Sequence, residues 1–147
     1  MELITASAIV SYVTKLEEES AKLYEELAQK YSEAKTIFLS LAKENKMNKQ
    51  SIERTYYGII SDKLEACFIK ILNTDDYSIE IKIPKEVSYL NALQKTIEIE
   101  EKIQKFFVDA SDAIGSLVPD VSWSLSRIGK KREDRILKLK SLLEKIK

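Results

Sequence analysis

Apolar residues recur every three or four positions along four stretches of this chain, the spacing that puts them on one face of an α-helix. The first helix is predicted from about Ala6 to Tyr31. Its inward stripe is Val10, Val13, Glu17, Ser20/Ala21, Tyr24, Leu27 and Tyr31, and Thr5 or Ser7 is placed to cap its start. The second is predicted from about Glu33 to Tyr57, with Ser32 as N-cap and Gly58 as its end. Its stripe is Ala34, Phe38, Leu41, Asn45, Asn48, Ile52 and Thr55/Tyr56. The third is predicted to start from the N-cap Ser88 and to end at about Ile114, before Gly115. Its stripe is Leu90, Leu93, Ile97, Glu100, Ile103, Phe107, Ala110 and Ile114. The fourth is predicted from about Asp120 to Ile146, entered through Pro119. Its stripe is Val121, Leu125, Ile128, Arg132, Arg135/Ile136, Leu139, Leu143 and Ile146.

Residues 58–87 connect the second helix to the third. Leu64, Cys67, Phe68 and Ile71 suit a short amphipathic helix over about 61–72, and Asn73–Asp76 suits a turn. Tyr77–Pro84 alternates apolar and polar residues as a strand does, but no other segment offers a convincing partner. It is expected to lie extended along the helices with Ile79, Ile81 and Ile83 facing inward. Short links within each helix pair and one long crossover between pairs predict an all-α, antiparallel four-helix bundle, a single domain over 1–147.

Each stripe is broken near its middle by polar residues: Glu17, Asn45 with Asn48, Glu100, and Arg132 with Arg135. Fourteen residues separate Glu17 from Tyr31 and Tyr31 from Asn45; sixteen separate Glu100 from Ser116 and Ser116 from Arg132. At roughly 1.5 Å of rise per residue, these positions face one another at one height. A weak internal repeat agrees. An offset of 83 lays Leu16-Glu17-Glu18 on Ile99-Glu100-Glu101 and Leu23-Tyr24 on Phe106-Phe107. An offset of 87 lays Phe38, Leu41 and Ala42 on Leu125, Ile128 and Gly129, and Asn45 and Asn48 on Arg132 and Arg135.

Composition narrows the chemistry. A hydrophobic fraction of 44% and three Gly and two Pro favour a folded chain with long helices. Lys+Arg and Asp+Glu both number 24, so the basic excess that nucleic-acid binding needs is missing. The run Lys130-Lys131-Arg132 reads as solvated surface, and the basic last turns of the fourth helix suit its C-terminal dipole. There is no histidine, which excludes Ser-His-Asp and Cys-His catalysis and any metal site that uses imidazole. Cys67 is the single cysteine and reads as a small, buried apolar residue in a reducing setting. The N-terminus lacks a basic region followed by an apolar core, so neither a signal peptide nor a membrane span is expected, and the expected location is cytoplasmic.

Leu16-Glu17-Glu18-Glu19-Ser20-Ala21-Lys22-Leu23-Tyr24, with Phe38-Leu39-Ser40-Leu41-Ala42-Lys43-Glu44, resembles the rubrerythrin branch of the ferritin-like superfamily. Ile97-Glu98-Ile99-Glu100-Glu101 and the Ile83-Pro84 lead-in to the third helix resemble it too, so the likeness covers nearly the whole chain. It implies a ferritin-like bundle in which the first and third helices each carry one Glu, and the second and fourth each carry a Glu-x-x-His pair. Such a set holds two iron or manganese ions. Glu17 and Glu100 match the single carboxylates. The Glu-x-x-His pairs fall on Asn45-Lys46-Met47-Asn48 and Arg132-Glu133-Asp134-Arg135, where all four ligands have changed.

The expectation is therefore a degenerate site: a polar layer of Glu17, Asn45, Asn48, Glu100, Arg132 and Arg135 in which the two guanidinium groups replace metal as counter-charges. No cofactor is expected; if a metal bound, Glu17 and Glu100 would be its ligands. The expected role is non-catalytic, as a structural or interaction module and a homodimer by family analogy. The alternative is a metal-dependent oxidoreductase or peroxidase with a carboxylate-only site drawing on Glu44, Glu98, Glu101 or Glu133, residues that otherwise form a solvated face. A third reading, a small-molecule binder, requires a cavity near the layer. Tyr24 and Phe107 are expected as core packing, and Trp123 as a core or interface anchor.

Overall fold

The computed structural model describes residues 1–59 and 65–146. The described chain is mostly helical, with four long helices: α1 (Ala6–Lys30), α2 (Lys35–Tyr57), α3 (Tyr89–Ile114) and α4 (Pro119–Ile146). Each begins or ends where its local chemistry requires. The Thr5 hydroxyl accepts the Ala8 N–H at the start of α1, and the Ser88 hydroxyl accepts the Asn91 N–H at the start of α3. Gly115 closes α3 at φ +52, a conformation that L side chains rarely adopt. Pro119 is the first residue of α4, where its missing N–H costs nothing. Ser32 does not cap α2: Ser32–Ala34 forms a tight 3-10 turn, and Ala34 holds the cap position without a side-chain hydrogen bond. No described helix is long and apolar enough to cross a membrane.

The helices pair as hairpins, α1 on α2 and α3 on α4, and the hairpins pack through α2 on α4 and α1 on α3. Tyr31 at the end of α1 stacks on Tyr89 at the start of α3, with ring centroids 5.7 Å apart, so those two helices run antiparallel. The predicted stripes form the interior, with fraying at the ends: Leu90 and Leu143 are half-buried and Ile146 is exposed. Trp123 is 64% exposed, with Arg127 over its ring, and takes no part in the core.

The crossover departs from the expected short helix. Residues 61–64 of that expectation lie outside the described residues. Phe68–Asn73 forms a strand, β2, paired antiparallel with β1 (Glu2–Thr5) through Glu2↔Asn73, Leu3↔Leu72 and Thr5↔Phe68. Local pattern misled because Phe68-Ile69-Lys70-Ile71 fits a helical stripe and a strand equally over so short a run. The pairing partner, some 65 residues away, decided the outcome. Leu3 and Ile69 turn inward, whereas Phe68 and Ile71 face solvent. Cys67 is half-buried rather than buried, and its carbonyl accepts the Ala6 N–H at 3.1 Å. Beyond a short turn at Thr74–Asp76, residues 77–87 run without further strand structure. Ile79, Ile81 and Ile83 are partly buried against the helices, as expected of an extended crossover. Two hydroxyls fasten it: Tyr77 donates to Asp109 at 2.7 Å, and Tyr31 donates to the Val87 carbonyl at 2.6 Å.

Deleting Met1–Thr5 should leave β2 without its ladder. Hydrogen exchange at the amides of Phe68–Asn73 is expected to approach unprotected rates while the centres of α1 and α3 keep their protection; unchanged protection in β2 would show that the pairing is not what orders it.

Candidate functional site

Between its ends the apolar core is interrupted. One cluster holds Leu16, Ile52, Ile103 and Ile128; the other holds Leu23, Ala42, Ile97 and Ile136. In each helix the polar residues sit between these flanking positions. The six residues of the expected layer are all buried: Glu17, Asn45 and Arg132 are 0% exposed, and Asn48, Glu100 and Arg135 are 1%. Four helices therefore deliver their polar interruptions to one level.

Arg132 is the centre of the layer. Its Nη1 donates to Glu100 Oε2 at 2.8 Å and its Nη2 to Glu17 Oε1 at 2.9 Å, so one guanidinium bridges the carboxylates of α1 and α3. Nη2 also reaches the Ser20 hydroxyl at 3.2 Å. Arg135, one turn on, donates from Nη1 to Glu100 Oε1 at 3.1 Å and to Asn45 Oδ1 at 3.2 Å. Asn45 Nδ2 donates to Glu17 Oε2 at 2.7 Å, and the Tyr24 hydroxyl donates to Glu100 Oε1 at 2.6 Å. All four oxygens of the two buried carboxylates thus have donors. Among the fully buried ions, two carboxylates meet two guanidinium groups, the condition under which buried ions are tolerated.

Three partners of the layer escaped the periodicity argument. Glu44, expected on a solvated face, accepts from Arg135 Nη2 at 2.7 Å and is the end of the network that reaches solvent. Tyr24, expected as packing, supplies both a hydroxyl to Glu100 and a ring beneath Arg135, 5.3 Å from the guanidinium carbon. Phe107 lies in the same way under Arg132 at 5.5 Å. The internal repeat had aligned Tyr24 with Phe107, and their shared use under a guanidinium is the signal it carried. Arg132 also leaves the basic run it was counted in: Lys130 is exposed and Arg132 is in the core. Glu98, Glu101 and Glu133 point outward and do not join the layer. Asn48 is brought to the layer, but its Nδ2 has no protein partner, nor do the Nε groups of Arg132 and Arg135.

Electrostatics lock the protonation states. Burial disfavours the Glu100 carboxylate, but Arg132 and Arg135 outweigh it and hold its carboxyl below the ordinary 4.5. Burial, reinforced by Glu100, holds the Tyr24 phenol well above its ordinary 10, so it remains a donor. Burial also works against both guanidinium groups, and the carboxylates reverse it, so Arg132 and Arg135 stay charged.

The two divalent cations that the rubrerythrin resemblance implies do not fit these residues. Each carboxylate is engaged by a guanidinium, and the positions of the two Glu-x-x-His pairs present two amides and two further cations. A metal would have to enter beside fixed positive charge and displace Arg132 from both partners. Among the described residues, no three of Asp, Glu or Cys converge as a cation site. A shallow cleft of about 230 Å³ between α1 and α2 reaches the layer at Glu17 and Asn45. Its rim is crossed by Lys49–Glu18 at 2.8 Å and Lys46–Glu25 at 3.3 Å. No family model matches the chain, and no curated protein or solved structure shows significant similarity to it.

Two consequences can be measured. Arg132→Met should destabilise the fold by about 3–5 kcal/mol, read from the urea midpoint, because it leaves two buried carboxylates facing each other. Acid should act through Glu100. Its folded carboxyl ionises below the unfolded one, so the stabilisation is complete above about pH 4.5 and is lost as pH falls through the folded value. Asp109, also held below its ordinary range by Tyr77 and Lys105 against burial, adds to the same limb. Glu100→Gln should therefore flatten, without abolishing, the fall in unfolding free energy below that pH; an unaltered slope would remove Glu100 from the account.

Proposed function

We propose that this chain is a non-catalytic, rubrerythrin-like member of the ferritin-like superfamily whose di-metal centre has become an Arg–Glu–Asn network, and that it serves as a structural or interaction module. The observation that carries this reading is the Arg132 guanidinium bridging Glu17 and Glu100. Those two carboxylates stand at the positions the resemblance assigns to metal ligands, and a side-chain cation already links them. The long crossover that returns from the end of α2 to the start of α3, with antiparallel neighbours throughout, supports the ferritin-like assignment.

Catalysis finds little to work with in this arrangement. Glu100 is held ionised, Tyr24 protonated and both arginines charged, so none of these four groups is poised near neutral pH to exchange a proton with a substrate. The layer instead has the character of a register device. Buried ions that satisfy one another in one alignment and not in its neighbours can specify how helices pair.

Elemental analysis of natively purified protein tests the proposal, together with a peroxide-turnover assay. Iron and manganese far below one ion per chain and no turnover are expected. About two ions per chain, retained through gel filtration and accompanied by turnover, would overturn it.

A further inference from the structure

A second hollow lies away from the polar layer, where the end of α1 meets the crossover. Its floor is Leu23, Leu27 and the Tyr31 ring, and its outer wall is Ile83 and Pro84. The rim carries Lys30, Lys85 and Glu26. Two ammonium groups against one carboxylate leave it net positive. Among the described residues, neither lysine forms an ion pair; Lys30 lies over the Tyr31 ring at 5.5 Å. The walls are set before any ligand arrives. The Tyr31 hydroxyl holds the Val87 carbonyl at 2.6 Å, and Tyr31 stacks on Tyr89, which fixes the segment after Pro84 against α1. A site built in advance spends little binding energy on ordering.

We propose that this cavity binds a short aliphatic monocarboxylate, with its chain on Leu23, Leu27 and Ile83 and its carboxylate at the rim that carries Lys30 and Lys85. The chemistry follows from the lining. The apolar floor removes methylene groups from water, and the unpaired ammonium groups at the edge select an anion over a cation. Size sets the chain length. The cavity is about 280 Å³, just under the roughly 300–1,000 Å³ of sites for drug-sized ligands, which favours a chain on the order of six to eight carbons over a long lipid or a nucleotide. This site is independent of the metal-free reading of the polar layer.

Octanoate, titrated below its aggregation limit into the isotope-labelled full chain and followed by amide and methyl shifts, tests it. Saturable shifts are expected at Leu23, Leu27, Ile83 and Lys85, with residues around Glu17 and Glu100 unmoved. Octylammonium, which offers the same tail with the opposite charge, should bind about tenfold more weakly or worse. The double substitution Lys30→Glu with Lys85→Glu lies on the surface and should weaken octanoate by a similar factor while the rest of the spectrum is retained. Linear, non-saturating shifts, equal binding of the two amphiphiles, or octanoate binding unaffected by the double substitution would overturn the proposal.

Discussion

A guanidinium at the centre of a helical protein must be paired, and the pairing of Arg132 with Glu17 and Glu100 is the constraint around which the rest is arranged. Each of these ions, buried by itself, would cost several kcal/mol. Together they are tolerated because every carboxylate oxygen has a donor and each guanidinium rests on an aromatic ring. The requirement is geometric. If α4 slid by one turn against the other helices, Arg132 would leave both carboxylates and Arg135 would leave Asn45 and Glu44. The apolar clusters above and below the layer would tolerate such a slide far better, since hydrophobic contact is non-directional.

The two hairpins contribute unequally to this layer. Each supplies one carboxylate from its first helix, Glu17 or Glu100. The first hairpin adds amides from its second helix, and the second adds cations from its own. Two copies of the first hairpin would leave two carboxylates without a cation, and two copies of the second would set four guanidinium groups against two carboxylates. The weak internal repeat therefore has its functional content in the positions where the two halves differ. The aromatic positions that match, Tyr24 and Phe107, do matching work under the guanidinium groups. Tyr24 departs from Phe107 in its hydroxyl, which completes the coordination of Glu100.

The connection between hairpins does more than span a distance. Phe68–Asn73 pairs with Glu2–Thr5 as a two-stranded sheet, and the second half of the connection lies along the helices through alternating isoleucines. Tyr77 and Tyr31 fasten that second half near its two ends. The hollow beside Leu27 exists because the crossover is held there and is not packed flush onto α1. Thus the segment with the least regular structure shapes an apolar-floored hollow near the surface, and it does so apart from the ionic layer.

The sequence by itself determined the helices, the cap at Ser88, the ends at Gly58 and Gly115, and the height of the polar layer; it left the first cap open between Thr5 and Ser7, and the structure chose Thr5. Each of these rests on local chemistry or on a fixed rise per residue: a 3.6-residue period, a hydroxyl before the first turn, a residue count across a short loop. Tertiary structure decided what local signals leave degenerate. Phe68–Asn73 became a strand because β1 was there to pair with it, whereas its own pattern suited a helix as well. Glu44 left the class of solvated carboxylates because Arg135, on another helix, has a donor pointing at it. Tyr24 acquired a polar role because Glu100 lies beside its hydroxyl. Trp123 stayed outside the core, 64% exposed, with Arg127 of its own helix over its ring. Hydrophobic period reports which way a residue faces on its own helix. Which partner waits at the end of its side chain depends on a second helix, and for Tyr24, Glu44 and Arg132 that partner lies more than seventy, ninety and a hundred residues away in the chain.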